Sequence, residues 1–562
     1  MLRSLLLATA LLAPLAPAPA AAQGVAGNYL AARIAGFGND YRAAGRYYGR
    51  LVDREDVTPQ VLENAVVIFS ILGEFERAAE IGRELDEEGR SSQFGRNAEL
   101  VTALRDGAWE DAEAALEDGV GGALLDGLIA AWIDVARGDM VAAEDAFDAL
   151  AATEGFDTIA RLHQAYARAV QADWQGADEI LSGRAYGPLG ATPRGIAAHA
   201  QVLVQLDRRE DALDLLQQAT DISSNPTLQD LQRRIEAGEA VPYDLVATPV
   251  DGMAEAFLIL AAILAQDSSA TFTLLNARAA TTLRPGHVDA LVLVAELFES
   301  QGEYDLANEA LTAVPRTDPA FFSAEIGRAS VLLASEKNDA AVEVLQELTR
   351  SNADRKEVWA AYADALRRLD RHAEAVAAYD EAIALDGGAD SETWFWIYAR
   401  GISKEQTGDW PGAEADFRRA LELNPEQPQV LNYLGYGLVE QRVKLDEALD
   451  LIERAVAARP EDGYITDSLG WVLYRLGRYE EAVAPMERAV MLEPLDPIIN
   501  DHLGDVLWTV GRKREAEFQW RRALSFEPEP EDEARIRRKL EVGLDAVLAE
   551  EGGAGPIEAA DE

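Results

Sequence analysis

Five histidines are the first candidates for chemistry: His163, His199, His287, His372 and His502. No two stand at a metal-binding spacing such as H-E-x-x-H, so each is expected to pack or to sit on the surface. The chain has no G-x-S-x-G elbow, no G-x-x-x-x-G-K-[ST] loop and no G-x-G-x-x-G turn. Ser468 has no histidine or other base in its local pattern. Pairs of Asp and Glu could imitate a glycosidase dyad, but a chain with 99 acidic and 51 basic residues produces such pairs everywhere. Cysteine is absent, which rules out thiolate catalysis, disulfides and Cys-ligated metals. Neither a catalytic residue nor a cofactor or metal site is expected. What remains is a set of aromatic and acidic residues near the C-terminus, as in "SLGWVLYRLGRYEEAVAPMERAVMLEP" from Ser468 to Pro494. Their meaning depends on the elements that carry them.

Length and charge limit those elements. A chain of 562 residues is too long for one ordinary core. A formal charge of −48 argues against binding nucleic acid or an anionic membrane surface, and favours cationic partners. The opening "MLRSLLLATALLAPLAPAPAAAQG" combines Arg3, an apolar run from Leu5 to Leu15 and the small residues Ala20 to Ala22. It reads as a secretory signal over 1–22 with cleavage after Ala22, a retained anchor being the alternative. A mature chain exported to the periplasm without direct membrane insertion is therefore expected.

Self-similarity comes next. "DSLGWVLYRLGRYEEAVAPMERAVMLEP" aligns with "DHLGDVLWTVGRKREAEFQWRRALSFEP". Leu469-Gly470 falls on Leu503-Gly504, Gly477 on Gly511, Ala482 on Ala516, Ala489 on Ala523 and Pro494 on Pro528, always at the same offset. "NYLGYGLVEQRVKLDEALDLIERAVAARP" precedes them with one extra residue. This pattern resembles the tetratricopeptide repeat, a helix–turn–helix unit of about 34 residues. The last three units resemble the C-terminal run of bacterial envelope repeat proteins, and "NYLAARIAGFGNDYRAAGRYYGRL" and "ATPVDGMAEAFLILAAILA" resemble the exported repeat proteins of Gram-negative, alphaproteobacterial type. Fourteen units start near Val25, Pro59, Gln93, Leu124, Thr158, Pro193, Ala254, Val288, Phe322, Lys356, Trp394, Pro428, Gly463 and Pro497. Position 20 of each is alanine, except Thr273. Small residues belong where paired helices cross, Gly near position 15 suits a left-handed cap, and Pro at 32 stops the second helix. A single hairpin cannot bury its own apolar face, so neighbours must stack.

The resemblance implies an all-α fold: a right-handed superhelical solenoid of about fourteen helix–turn–helix units in two blocks with a capping helix. The blocks are expected at 23–226 and 254–530, with a non-repeat joint at 227–253, a capping helix at 531–550 and a disordered acidic tail at 551–562. The joint should begin as a helix, "TLQDLQRRIEAG", and turn extended at Pro242 and Pro249, either as a loose loop or as a hinge or strip. "DGGADSE" near Asp386 is expected to be a loop with the wrong spacing for calcium.

The family fold also implies a concave surface lined by positions 2, 5, 9 and 12 of the first helices. Tyr398, Asn432, Tyr436, Asp467, Trp471, Tyr474, Asp501, Asp505 and Trp508 then form a candidate groove, alongside Phe395, Gln429, Tyr464 and Ile498. Aromatic rings and carboxylates suit an extended peptide with basic residues. A basic clamp for a C-terminal carboxylate is missing, because its slots carry Asn432, Ile498 and His502. The basic residues between Arg512 and Lys539 are expected to pair with Glu515, Glu517 and Glu531 to Glu533 at helical spacing. The expected function is a non-enzymatic scaffold binding proteins or peptides. A structural part of an envelope assembly or polysaccharide-export machine is the alternative.

Overall fold

The computed structural model describes residues 24–54, 57–87, 89–117, 119–190, 192–219, 225–267, 270–387 and 393–552. The expected signal segment, almost all of the 551–562 tail and most of "DGGADSE" lie outside them. The described residues form 31 helices and no strand. They fall into two compact units, Met1–Lys337 and Asn338–Glu562.

In the first unit α1 (Val25–Phe37) pairs with α2 (Tyr41–Tyr48), α3 (Pro59–Leu72) with α4 (Phe75–Glu87), and α5 (Gln93–Asp106) with α6 (Trp109–Leu116). The same holds for α7 (Ala123–Arg137) and α8 (Met140–Ala151), α9 (Asp157–Val170) and α10 (Trp174–Leu181), and α11 (Pro193–Gln205) and α12 (Arg209–Gln218). A single helix, α13 (Pro226–Glu236), precedes the pair α14 (Pro249–Asp267) and α15 (Ala270–Leu283), the pair α16 (Val288–Ser300) and α17 (Tyr304–Thr312), and α18 (Phe321–Ala334).

The second unit opens on α19 (Asn338–Ser351). Its hairpins are α20 (Lys356–Arg368) with α21 (His372–Asp386), α22 (Thr393–Gln406) with α23 (Trp410–Leu423), and α24 (Pro428–Glu440) with α25 (Leu445–Ala458). Next come α26 (Gly463–Arg475) with α27 (Tyr479–Leu492) and α28 (Pro497–Thr509) with α29 (Lys513–Leu524). Helices α30 (Pro530–Val542) and α31 (Leu544–Glu550) close it.

The expected repeat starts fall within one residue of a first helix at every unit but one, so the repeat frame sets the hairpins. Every alanine predicted at position 20, from Ala44 to Ala516, is fully buried, and Thr273 is buried with them. Neighbouring helices come close because a methyl group is all that stands between them. The first helices start on Pro59, Pro193, Pro428 and Pro497, where a missing N–H costs nothing. Gly73, Gly107 and Gly138 cap α3, α5 and α7 in the left-handed conformation.

Three expectations need correction. Pro249 does not extend the joint; it opens α14 ahead of the expected start at Ala254. Thr248 and Asp251 supply the cap: the Asp251 amide donates to Thr248 Oγ1 at 3.2 Å and the Thr248 amide to Asp251 Oδ2 at 2.8 Å. The boundary between compact units is not the 227–253 joint but lies between Lys337 and Asn338. The joint is internal to the first unit because the chain doubles back there. Helix α14 packs on α7 and α9, and α15 packs on α3 and α5. Thirdly, the capping segment is two helices, not one. Gly543 breaks it at φ +82°, with the Trp508 ring packed against its Cα side.

The doubling back is tightly built. Gly252 of α14 lies against Trp132, where an added Cβ would meet the indole at 2.2 Å. Arg278 of α15 donates to the Leu72 carbonyl at 2.7 Å, at the C-terminal end of α3. The strip before α14 is held as well. Gln201 donates to Asp244 at 2.7 Å, Arg284 donates to the Leu245 carbonyl, and Val241, Leu245 and Val246 are buried.

Candidate functional site

In the second unit the first helices α22, α24, α26 and α28 carry the nine sequence-predicted groove residues. The structure divides them into packed and accessible sets. Tyr398, Asp467, Tyr474, Asp501 and Asp505 are buried, while Asn432, Tyr436, Trp471 and Trp508 are half-buried. Tyr398 is a packing residue, with ring centroids 5.5 Å from Tyr433 and 6.0 Å from Phe417.

Asp467, Trp471, Tyr474 and His502 form one cluster. The Trp471 and His502 rings stack at 4.0 Å and 14°, and Trp471 stacks on Tyr474 at 5.0 Å and 18°. His502 Nδ1 lies 2.9 Å from Asp467 Oδ2. Burial by itself would lower the pKa of His502, but the carboxylates of Asp467, Asp501 and Asp505 together outweigh it and the net shift is upward. The Trp471 indole N–H points to Glu440 at 3.4 Å, and Arg475 donates to the same carboxylate at 3.1 Å. Trp508 donates to Asp545 at 3.1 Å and carries the Lys513 ammonium 4.4 Å above its ring.

Asp501 and Asp505 face the chain itself. The fully buried Lys539 of α30 donates to Asp501 Oδ2 at 2.7 Å and to Asp505 Oδ2 at 2.8 Å. The Trp520 indole donates to Asp505 Oδ1 at 3.0 Å, and Arg535 Nη1 stands 3.7 and 3.6 Å from the two carboxylates. Burial and the neighbouring Asp505 raise the pKa of Asp501, against the pull of Lys539. The two carboxylates therefore belong to an internal ion cluster that seats the end cap.

This corrects the expected pairing of the 512–539 basic residues. Arg512 with Glu515, Arg521 with Glu517 and Arg537 with Glu533 do pair at helical spacing. Lys539 bridges to α28 instead, Arg535 pairs with Glu551, and Arg538 with Glu550. A helical-spacing rule finds neighbours one turn away and cannot see partners a whole repeat distant.

The accessible surface lies beside the predicted residues. At position 2 of the first helices α22, α26 and α28, Phe395 is 39% exposed, Tyr464 57% and Ile498 36%, with the half-buried Gln429 in the slot of α24 between the first two. Tyr433, which the position rule passes over, is also exposed. Three bulky apolar side chains at one repeat position, left open while the alanines behind them are sealed, make a stripe suited to contact rather than to catalysis.

Three of the other four histidines are structural, and the fourth, His372, stands 3.6 Å from Asp370 at the start of α21. His163 Nδ1 accepts from the buried Trp132 indole at 2.9 Å, His199 pairs with Asp178 at 2.8 Å, and His287 with Glu255 at 3.0 Å. Among the described residues no cluster of three or more His, Asp or Glu side chains could hold a metal ion. No helix there is long and apolar enough to cross a membrane.

Stacked antiparallel hairpins with buried alanines at every crossing and an open stripe on the first helices define an α-helical repeat protein. A tetratricopeptide-repeat family model matches residues 326–390, 398–463 and 444–497, so this stretch of the chain is built of tetratricopeptide repeats. A TPR repeat-containing protein of Pseudomonas aeruginosa is 29% identical over 159 residues, or 28% of this chain. That match spans 26% of the relative's own length. Among solved structures, a chain of the APC/C hetero-tetramer Cut9-Hcn1 aligns over 92% of this chain and 95% of its own, with 15% identity and a TM-score of 0.38. The tetratricopeptide protein YrrB, described as having an unusual peptide-binding site, aligns over 34% of this chain and 95% of its own, with 21% identity and a TM-score of 0.28.

Proposed function

We propose that this chain is a non-enzymatic scaffold, exported to the periplasm of a Gram-negative bacterium, that holds a protein or peptide partner on the first helices of its second unit. The observation that carries this reading is the set of open side chains Phe395, Tyr464 and Ile498, on three of four successive hairpins at the same repeat position, with the half-buried Gln429 on the hairpin between the first two. Aromatic side chains bring large contact area at low cost in conformational entropy, which is why they anchor protein interfaces. The half-buried Trp471 and the exposed Glu440 continue the surface. The surplus of carboxylates over the whole chain supports a partner with basic residues near its apolar anchors. Asp501 and Asp505 do not supply that preference, since Lys539 occupies them.

The test is a photo-crosslinking residue at Tyr464, with Glu480 on α27 as the control, in cells fractionated by osmotic shock. Adducts with defined proteins are expected at position 464, absent at 480, and in the periplasmic fraction. Phe395→Ala with Tyr464→Ala should weaken binding of a captured partner at least tenfold. Equal capture at both positions would refute the surface assignment, and recovery with the cytosol would refute the compartment.

A further inference from the structure

The first unit contains a cavity that the repeat pattern does not require. It has a volume of about 430 Å³ and lies among α9, α11, α14, α16 and the strip at Leu245. Its walls are mainly apolar, built from Leu162 of α9, Ala197 of α11, Leu258 and Ile259 of α14, and Leu293 of α16. The space exists only because α14 doubles back onto α7 and α9 and closes what stacked hairpins leave open.

The charged residues of the lining pair with one another. Arg194 donates through Nε to Glu255 Oε2 at 2.9 Å, pairs again with Glu255 Oε1, and donates through Nη1 to Asp289 at 2.5 Å. His287 stands 3.0 Å from Glu255 Oε1. Arg194 is thus committed to two carboxylates, and the buried Glu255 to a guanidinium and an imidazole. A ligand head of either charge would give up its hydration to a wall whose ions are already matched. One polar group of the lining is not matched. Tyr166 of α9 lines the cavity and is 1% exposed, and among the described residues its hydroxyl has no hydrogen-bond partner. The hydroxyl lies toward the ion pair, since Glu255 and Arg194 both act on its ionisation. Burial first, then Glu255, push its pKa upward, so at neutral pH it keeps its proton and is a donor. Packing explains the ring, which meets the His163 ring edge-on at a centroid distance of 5.8 Å. It does not explain the hydroxyl, because phenylalanine would pack the same way without burying an unmet donor.

We propose that this chamber binds a small neutral molecule with an apolar body and one hydrogen-bond-accepting oxygen, of ketone or ester type, the body lying between α9, α11 and α14 and the oxygen accepting from the Tyr166 hydroxyl. The volume falls within the range of small-molecule sites, and the lining has their usual character of apolar walls with a few placed polar groups. The apolar walls select the body, the matched ions exclude a charged head, and the single unmet donor selects an acceptor. The inference is independent of the peptide surface in the second unit.

Titration calorimetry of the full-length chain with 2-nonanone, nonanoate and nonylammonium, each kept below about 1 mM, tests it. One 2-nonanone per chain is expected, bound at least about tenfold more tightly than either ion. Isotope-edited infrared spectra should show the bound carbonyl stretch shifted down from its value in hexane, as a hydrogen bond from Tyr166 requires. Tyr166→Phe should remove that shift and weaken binding by about twofold to tenfold, while the melting temperature of the free chain holds or rises because no hydrogen bond is lost. Ala262→Trp, at an exposed position of the lining, should abolish binding while circular dichroism and the melting temperature stay unchanged. Either ion binding as tightly as the ketone, a carbonyl shift that survives Tyr166→Phe, ketone binding undiminished in Ala262→Trp, or no ketone binding below about 1 mM would each overturn the proposal.

Discussion

Replacing Lys539 with Met should loosen the end cap without unfolding the rest of the second unit. Lys539 is buried, and its ammonium is the cation that lies between Asp501 and Asp505, themselves 6% and 1% exposed. Removing one partner of a buried ion cluster leaves charge that water cannot reach, at a cost of about 3–5 kcal/mol. Stability in a repeat array is local, so the loss falls on α30 and on the α28–α29 hairpin it covers. At about 1.36 kcal/mol per tenfold, amide exchange in α30 should accelerate about a hundredfold to a few thousandfold. Hydrogen-exchange mass spectrometry reads this directly, with the hairpin α20–α21 as internal control.

The pH dependence has a definite sign. Burial and Asp505 already hold the Asp501 carboxyl above its ordinary value, and loss of Lys539 moves it further up. A carboxyl raised in the folded state takes up its proton before the unfolded chain does. The deficit of Lys539→Met against the parent is therefore largest above the raised value and shrinks as pH falls through it toward the ordinary aspartate range. Adding Asp501→Asn and Asp505→Asn should restore most of the protection at neutral pH, because the stranded charges are gone while Trp520 keeps an acceptor. Unchanged exchange in α30 of Lys539→Met, or a deficit that grows on acidification, would refute the reasoning.

Burial alone would raise Glu255, but Arg194 and His287 outweigh it and hold the carboxyl at about 2. Its stabilisation of about 3 kcal/mol is present above the ordinary glutamate value and is lost as pH falls toward 2, so Glu255→Gln should lower stability by that order at pH 7 and flatten the acid limb of an unfolding titration. Gly252→Ala gains about 1 kcal/mol of helix propensity but drives a methyl into the fully buried Trp132 ring, where overpacking costs about 1–3 kcal/mol. A lower melting temperature and faster exchange in α14 and α7 are expected.

The hairpins were legible because their determinants are local and recur once in every repeat. Ala375 or Ala482 marks a helix crossing by size alone, and Pro428 or Pro497 marks a helix start by its missing N–H. The candidate surface was legible in register but not in exposure. Positions 5 and 9 have the right residue types, yet Tyr398 is enclosed by Tyr433 and Phe417, and Asp501 and Asp505 are closed by Lys539. The open residues are instead Phe395, Tyr464 and Ile498 at position 2. Which of two neighbouring rows stays open depends on the bulk that adjacent helices bring to it, and no single repeat encodes that.

Residue size and spacing along the chain were enough to determine the helices and their pairing into hairpins. Each of those rests on contacts within one repeat or between consecutive ones. Tertiary structure alone decided that α14 and α15 fold back onto α3, α5, α7 and α9, that Arg194 meets Glu255, and that Lys539 meets Asp501. The fold-back partners meet only after the small rotations of many stacked hairpins have accumulated, whereas Lys539 reaches Asp501 across a single repeat, from the end cap that closes the last hairpin.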